Sequence, residues 1–294
     1  MLPVILPAMT KRPTIGIVGA GNLGSVLASA LHQAGYKIAE VVSRMRSPAR
    51  ARLVATEVKA RLLTIEAPLT SDLLWFCVPD REIGACAASI AQTGNWRGKL
   101  AFHSSGALTS DELAVLRARG TSVASVHPLM TFVKGVSPTL NDIPFALEGD
   151  PAALRVARTI VRSLGGQSFA IAKRYKSAYH AWGAFASPLY VALLVTAERV
   201  ARAAGIARIT ARKMMFPILR QTLSNYAALG PAAAFSGPIV RGDLETVSKH
   251  LRILSRVPEA RDVYVALARS ALRDLPTPDR TALADLLNGK NRRR

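Results

Sequence analysis

The chain has 294 residues, half of them hydrophobic, with 39 Lys and Arg against 19 Asp and Glu and a formal net charge of +20. That length supplies core for one large or two medium globular domains. Two cysteines, Cys77 and Cys86, give neither a disulfide framework nor metal-ligand spacing and fit a reducing cytoplasm. The charge invites a nucleic-acid reading, but the arginines are scattered, only the tail Arg292-Arg293-Arg294 is dense, and no aromatics interleave as a stacking platform. The partner expected is a small anion, not nucleic acid. No apolar run approaching the ~20 residues of a bilayer span is read. The proline-broken apolar start lacks a basic leader, and Met9-Thr10-Lys11-Arg12 offers a second start. The expectation is a cytoplasmic protein without membrane association.

Residues 15–18 form an apolar strand that runs into Gly19-Ala20-Gly21-Asn22-Leu23-Gly24, followed by helical pattern over 25–34. Each glycine has a mechanical reason: Gly19 for a tight turn, Gly21 for close approach of backbone to a pyrophosphate, Gly24 for packing of helix on strand. The free N–H groups and positive end of the helix then face the phosphates. This is a dinucleotide-binding signature. The second strand, 38–42, ends in Val42-Ser43-Arg44-Met45-Arg46, where binders of NAD usually place an acid. A hydroxyl and two guanidinium groups suit a 2′-phosphate, so Ser43, Arg44 and Arg46 point to NADP. The competing reading is that both arginines are ordinary surface residues.

A helix over 48–58, a short strand at 61–65 and an apolar strand at 73–78 come next, the last running into Pro79-Asp80. Helical pattern over 82–91 and strands at 99–102, 122–126 and 144–147 continue the alternation. Asp150-Pro151 opens a helix that closes at Gly165-Gly166, before a last strand at 168–171. Continuous apolar strands separated by helices predict an α/β Rossmann domain with a doubly wound, mainly parallel sheet. From residue 173 the strands stop. One long helix over 173–204, about 45 Å at helical rise, is followed by helices at 207–228, 244–254 and 259–272. The predicted division is an NADP-binding domain over 10–172 and an all-helical substrate and dimerisation domain over 173–294.

Ligands of open α/β sheets sit at the carboxyl ends of strands. Val78, Pro79 and Asp80 end one strand there. His103, Ser104, Ser105 and Gly106 end the next, beside a helix start at Thr109, and all seven are expected to line the cofactor. His127-Pro128 ends a third strand, with His127 a candidate for substrate. The competing reading for both histidines is hydrogen bonding to neighbouring loops. A metal is not expected, because no carboxylate or Cys stands at ligand spacing from His103, His127 and His180.

The overall plan is that of the 6-phosphogluconate dehydrogenase-like enzymes. More narrowly, the chain resembles the Rossmann-like oxidoreductases that carry a C-terminal domain of unknown function 2520, often labelled deazaflavin-dependent NADP oxidoreductases. The resemblance rests on the glycine motif, His103-Ser104-Ser105-Gly106-Ala107-Leu108, Ser125-Val126-His127-Pro128-Leu129, Tyr179-His180-Ala181 and Ser236-Gly237-Pro238-Ile239-Val240-Arg241-Gly242-Asp243. It implies a homodimer paired through the helical domain and a long helix facing the cofactor cleft. Relatives of this plan reduce 2-keto acids such as ketopantoate or cyclic imines such as pyrroline carboxylate, with NADPH or a reduced deazaflavin as the open choice of donor.

On the long helix Lys176 and His180 share a face, and Ser187 returns to the same stripe. Gly183 and Ala184 keep that surface low. Reduction of a carbonyl needs a proton donor, and His180 is the leading candidate with Lys176 second. The bland alternative is a solvated lysine and a satisfied interface histidine. Where the family pattern has Asn after Ser187, this chain has Pro188, which removes a helical hydrogen bond and predicts a kink. That departure keeps a second reading open: a non-catalytic NADP-binding or redox-sensing protein. Arg241 is the candidate anchor for a substrate carboxylate, with Thr246 weaker. Asp243 is a further candidate for substrate, although a helix cap explains it better.

Overall fold

The computed structural model describes residues 12–43 and 49–290, and the chain divides into two compact units at Ala184/Phe185. The first unit alternates strand and helix: β1 (Ile15–Val18), α1 (Asn22–Gln33), β2 (Ile38–Ser43), α2 (Ala49–Glu57), β3 (Arg61–Thr64), β4 (Leu73–Phe76), α3 (Asp80–Ala91), β5 (Leu100–His103), α4 (Ala114–Arg117), β6 (Ser122–Pro128), β7 (Pro144–Gly149), α5 (Pro151–Ser163), β8 (Gln167–Ala170) and α6 (Lys176–Ala186). The strands form one sheet of order β3-β2-β1-β4-β5-β6-β7-β8, parallel except where β6 meets β7. The order reverses between β1 and β4, the switch point where such sheets open a crevice.

Both faces are covered. Leu27 and Leu31 of α1, Val54 of α2 and Ala157 and Ile160 of α5 pack with Ile15, Ile17 and Val41 on one side. Ile83 and Ile90 of α3, Leu113, Leu116 and Trp96 pack with Val18, Leu74 and Phe76 on the other. Each large side chain so buried contributes about 1.5–3 kcal/mol. This is why β1 and β4 are apolar at every position rather than alternating.

The second unit is helical: α7 (Pro188–Ala203), α8 (Arg208–Ala234), α9 (Leu244–Leu254), α10 (Pro258–Asp274) and α11 (Arg280–Leu287). Val247, Leu251, Val265, Ala268, Leu272, Leu283 and Leu287 form its core from α9, α10 and α11. On α7 the buried Glu198 accepts from Arg212 at 2.7 Å and from Arg208 at 3.2 Å, pairing α7 with α8.

Four sequence expectations change here. The long helix is two helices, because Ser187 leaves helical geometry (φ −130°, ψ −81°) and Pro188 takes the first position of α7, where its missing N–H costs nothing. The unit boundary lies at 184/185 rather than 172/173, because the first turns of α6 bury Lys176 and Tyr179 within the first unit. The short helix α11 was not expected. An apolar segment of membrane-spanning length does exist: residues 173–203 meet the length and composition of a span, with little of the apolar window buried. Its central residues, 177–197, carry no Lys, Arg, Asp or Glu.

Candidate functional site

The glycine loop has the geometry its spacing predicts. Gly19 adopts φ +97°, and a Cβ there would lie 2.8 Å from the Cys77 carbonyl oxygen and from Val78. A Cβ on Gly24 would overlap the Gly19 carbonyl oxygen, so only glycine lets α1 start this close to β1. Gly21 is different: a Cβ there would have ordinary room, and its role is the position it holds. It is the N-cap residue of α1, with no side chain capping the first turn. The first-turn N–H groups of Asn22, Leu23 and Gly24 therefore remain available to an anion.

A groove of about 230 Å³ opens beside this turn, lined by Val18, Gly19 and Gly21, by Val42 and Ser43 at the end of β2, and by Cys77, Val78 and Pro79 after β4. Ala20 and Leu23 pack against the apolar cluster that holds α1 on the sheet. The Asn22 amide donates to the Phe132 carbonyl at 3.1 Å and its oxygen accepts from Arg50 at 2.7 Å, while Arg50 also reaches Ser25 at 3.2 Å. Arg50 had no role in the sequence reading. It lies beyond the motif on α2, and only the fold brings its guanidinium to the first turn of α1. Arg44 and Arg46 lie outside the described residues.

The turn after β5 forms a second cluster. The Ser105 hydroxyl donates to Asp80 at 2.7 Å and accepts from the N–H groups of Ala107 and Leu108. Asp80 thereby ties the turn after β4 to the turn after β5. Ser104 accepts from the Trp75 indole at 2.8 Å and is buried. His103 is fully buried: Nε2 lies 2.9 Å from the Thr109 carbonyl and Nδ1 accepts from the Ser105 N–H at 3.1 Å. Burial above all, with Lys176 nearby, pushes its pKa down to about 4. The expected cofactor contact from the His103 and Ser104 side chains is therefore corrected, since both are spent within the fold.

Lys176, at the start of α6, is 1% exposed and donates to the Ser105 carbonyl at 2.8 Å and to Ser125 Oγ at 2.6 Å. Burial lowers its pKa to about 8, against opposing pulls from Glu148 and Asp80. As a proton donor to substrate it is corrected: it fixes the turn 105–106 from below. His180, one turn along, is exposed, and its Cδ2 would lie 2.8 Å from a Cβ on Gly106. The His127 Nε2 would lie 2.9 Å from that same Cβ. Gly106 is thus the point at which two imidazoles from different elements converge. His127 Nδ1 lies 2.7 Å from the Tyr179 hydroxyl, with the rings packed edge to face. In the sequence Tyr179 stands within the motif Tyr179-His180-Ala181, and its place three residues after Lys176, on the same helix face, is the signal that points to this contact.

Ser187 does not continue the stripe of His180, because the helix ends between them. In the second unit, Asp243 caps α9, accepting the Thr246 N–H at 2.9 Å and its hydroxyl at 2.7 Å. Those two bonds, backbone first, lower the Asp243 pKa. Asp243 thus has the capping role that its position predicts, with Thr246 as its partner. Arg241, two residues before the cap, is exposed.

A dinucleotide-type sheet with an uncapped helix start and a histidine-lined turn defines the class. Residues 7–128 match the family model of a Rossmann-like domain and residues 143–271 that of a domain of unknown function, DUF2520. The chain belongs to the proteins that join these two domains. No curated protein matches it. Among solved structures, a Bacteroides fragilis protein described as an NADP oxidoreductase is similar with a TM-score of 0.73 and 23% identity, over 88% of this chain and 97% of that one. An imine reductase from Pseudomonas sp. has a TM-score of 0.61 and 22% identity, over 96% and 100%. A reductive aminase from Aspergillus terreus, in complex with NADPH and ethyl-5-oxohexanoate, has a TM-score of 0.61 and 19% identity, over 94% and 99%. At these identities the likeness is one of fold.

Proposed function

We propose that the chain is an NADP(H)-dependent oxidoreductase that reduces a small anionic carbonyl or imine compound of the 2-keto acid class. The observation that carries the reading is the pairing of an uncapped α1 start, reachable only because residues 19 and 24 are glycine, with the His127–Gly106–His180 convergence. The residues fit the cofactor. Backbone N–H groups of the first turn of α1 hold the pyrophosphate, Ser43 with Arg44 and Arg46 takes the 2′-phosphate, and Val78, Pro79 and the 105–106 turn flank the nicotinamide end. Arg50 supports the loop through Asn22 and Ser25. When bound, NADPH supplies the hydride. The fold likeness to NADP- and NADPH-associated reductases supports the assignment.

His180 gives the proton to the developing alkoxide or amine, since its ring is accessible while Lys176 is not. Lys176 holds the backbone under it. Arg241 is the second unit's candidate for binding a carboxylate. The protein works as a homodimer in the cytoplasm, the latter in keeping with a chain that holds only two cysteines. Turnover of a panel of 2-keto acids and cyclic imines with NADPH tests the reading. Tight NADPH binding with no oxidation of it across the panel would leave a non-catalytic binding protein instead. Fluorescence titration should show NADPH bound more tightly than NADH; equal affinities would overturn the assignment of Ser43, Arg44 and Arg46.

A further inference from the structure

We infer that Tyr179 locks His127 as a neutral imidazole that presents an Nε2–H donor beside Gly106, so that this recess takes a carbonyl or carboxylate oxygen and rejects a cationic iminium nitrogen. The inference rests on the proposed reductase reading and narrows its substrate class.

The tautomer follows from the pair. The Tyr179 hydroxyl and His127 Nδ1 are 2.7 Å apart, and Tyr179 is buried. A phenol is the better donor of the two and the imidazole lone pair a good acceptor, so the hydrogen lies between them on oxygen. Burial pushes the Tyr179 pKa up to about 12, which keeps that proton in place. The one remaining hydrogen of a neutral His127 is then on Nε2, the atom of that ring nearest the missing Cβ of Gly106. Packing fixes the ring as well as the proton: Tyr179 meets it edge to face and is itself met by Phe169 and Trp182.

The surroundings carry a sign. Burial is the main force against an imidazolium at position 127, followed by Lys176 and His180 from α6 and His103 from β5, and together they lower its pKa to about 4. The carboxylate nearest the turn, Asp80, already accepts from Ser105. A neutral donor in a field set by a buried ammonium favours an oxygen acceptor. A protonated imine would bring a second cation beside Lys176 and set its N–H against the His127 N–H.

The test is long-range proton–nitrogen correlation on the ¹⁵N-labelled full chain saturated with NADP⁺ at pH 7.5, with His127 assigned by its absence in His127→Gln. Two probes are added in turn: oxamate, an oxygen-rich 2-keto acid analogue, and pyrrolidine, which is a cation at this pH. The expected result is a neutral Nε2–H tautomer, shifted by oxamate and not by pyrrolidine. In Tyr179→Phe the tautomers should mix, and oxamate should bind about tenfold more weakly, the worth of one hydrogen bond. An Nδ1–H tautomer or an imidazolium in the wild type overturns the inference, as does pyrrolidine shifting His127 and binding more tightly than oxamate. If neither probe shifts His127, the assigned ligand class is wrong. NADPH affinity, measured by fluorescence on cofactor-free protein, then states separately whether the cofactor reading stands. The wild-type spectra decide the matter even if Tyr179→Phe fails to fold.

Discussion

Lys176 and His180 lie one turn apart on the same face of α6, yet one is 1% exposed and the other open to solvent. Sequence spacing identifies a shared face but not the depth at which each turn sits, and depth decides which residue can meet a ligand. The consequence for Lys176 is a measurable pH dependence. Its pKa is depressed from 10.5 to about 8, so between those values the unfolded chain binds more protons than the folded one. Stability from this group is present above pH 10.5 and is lost as pH falls toward 8. Comparing denaturant midpoints of wild type and Lys176→Met, the wild type should gain on the variant between pH 8 and 10. A constant difference would show that the ammonium is not buried in solution. Gly106→Ala tests the convergence of the two rings. Its Cβ would press on His180 and on a His127 that Tyr179 pins, so turnover at saturating NADPH should fall at least tenfold. Normal turnover would mean that the histidines do not act beside this glycine.

At the scale of elements, β1, β4 and the glycine turn were legible because burial on both faces demands uninterrupted apolar runs, and because φ +97° at residue 19 has few tenants other than glycine. Gly24 is the strictest position in the loop. Gly24→Val would drive its side chain into the Gly19 carbonyl and push α1 off β1, and such overpacking costs about 1–3 kcal/mol. NADPH binding should be lost and the thermal midpoint lowered; retention of wild-type affinity would place the phosphates elsewhere. What the sequence hid had physical causes. Proline at 188 read as a kink inside one helix, whereas a proline serves equally well at a helix start, and the break at Ser187 makes it one. Helix α11 follows Pro276 and Pro278, beyond the last helix the pattern predicts, and its Leu283 and Leu287 one turn apart bury themselves against α9 and α10. Tyr179 and His127, 52 residues apart in sequence, could be paired only by the fold.

At the scale of the molecule, the second unit leaves α7 and α8 largely uncovered. On α7, Glu198 is the one buried residue, while Leu189 and Val191 are about half exposed. On α8, Ile209, Phe216 and Leu223 recur at heptad intervals and are 71%, 54% and 55% exposed. Large apolar side chains in a stripe of this kind mark an interface. A bilayer is a poor occupant. The apolar segment is broken at Ser187, where backbone groups lose their helical partners, and a lipid environment has nothing to replace them. Glu198 is bound to Arg208 and Arg212, which keeps three charged groups on the same pair of helices. A second copy of the chain fits better, because closed two-fold pairing covers the same stripe on both protomers at once. Light scattering at micromolar concentration should report a dimer. Phe216→Asp removes an apolar side chain worth about 1.5–3 kcal/mol from each of two symmetric contacts, so the dissociation constant should rise by roughly two orders of magnitude or more. Circular dichroism of the variant should stay that of the wild type, since an exposed side chain contributes little to the fold of one protomer. A wild type that is monomeric with cofactor bound, or a variant as dimeric as the wild type, would show that this stripe is not where the protomers meet.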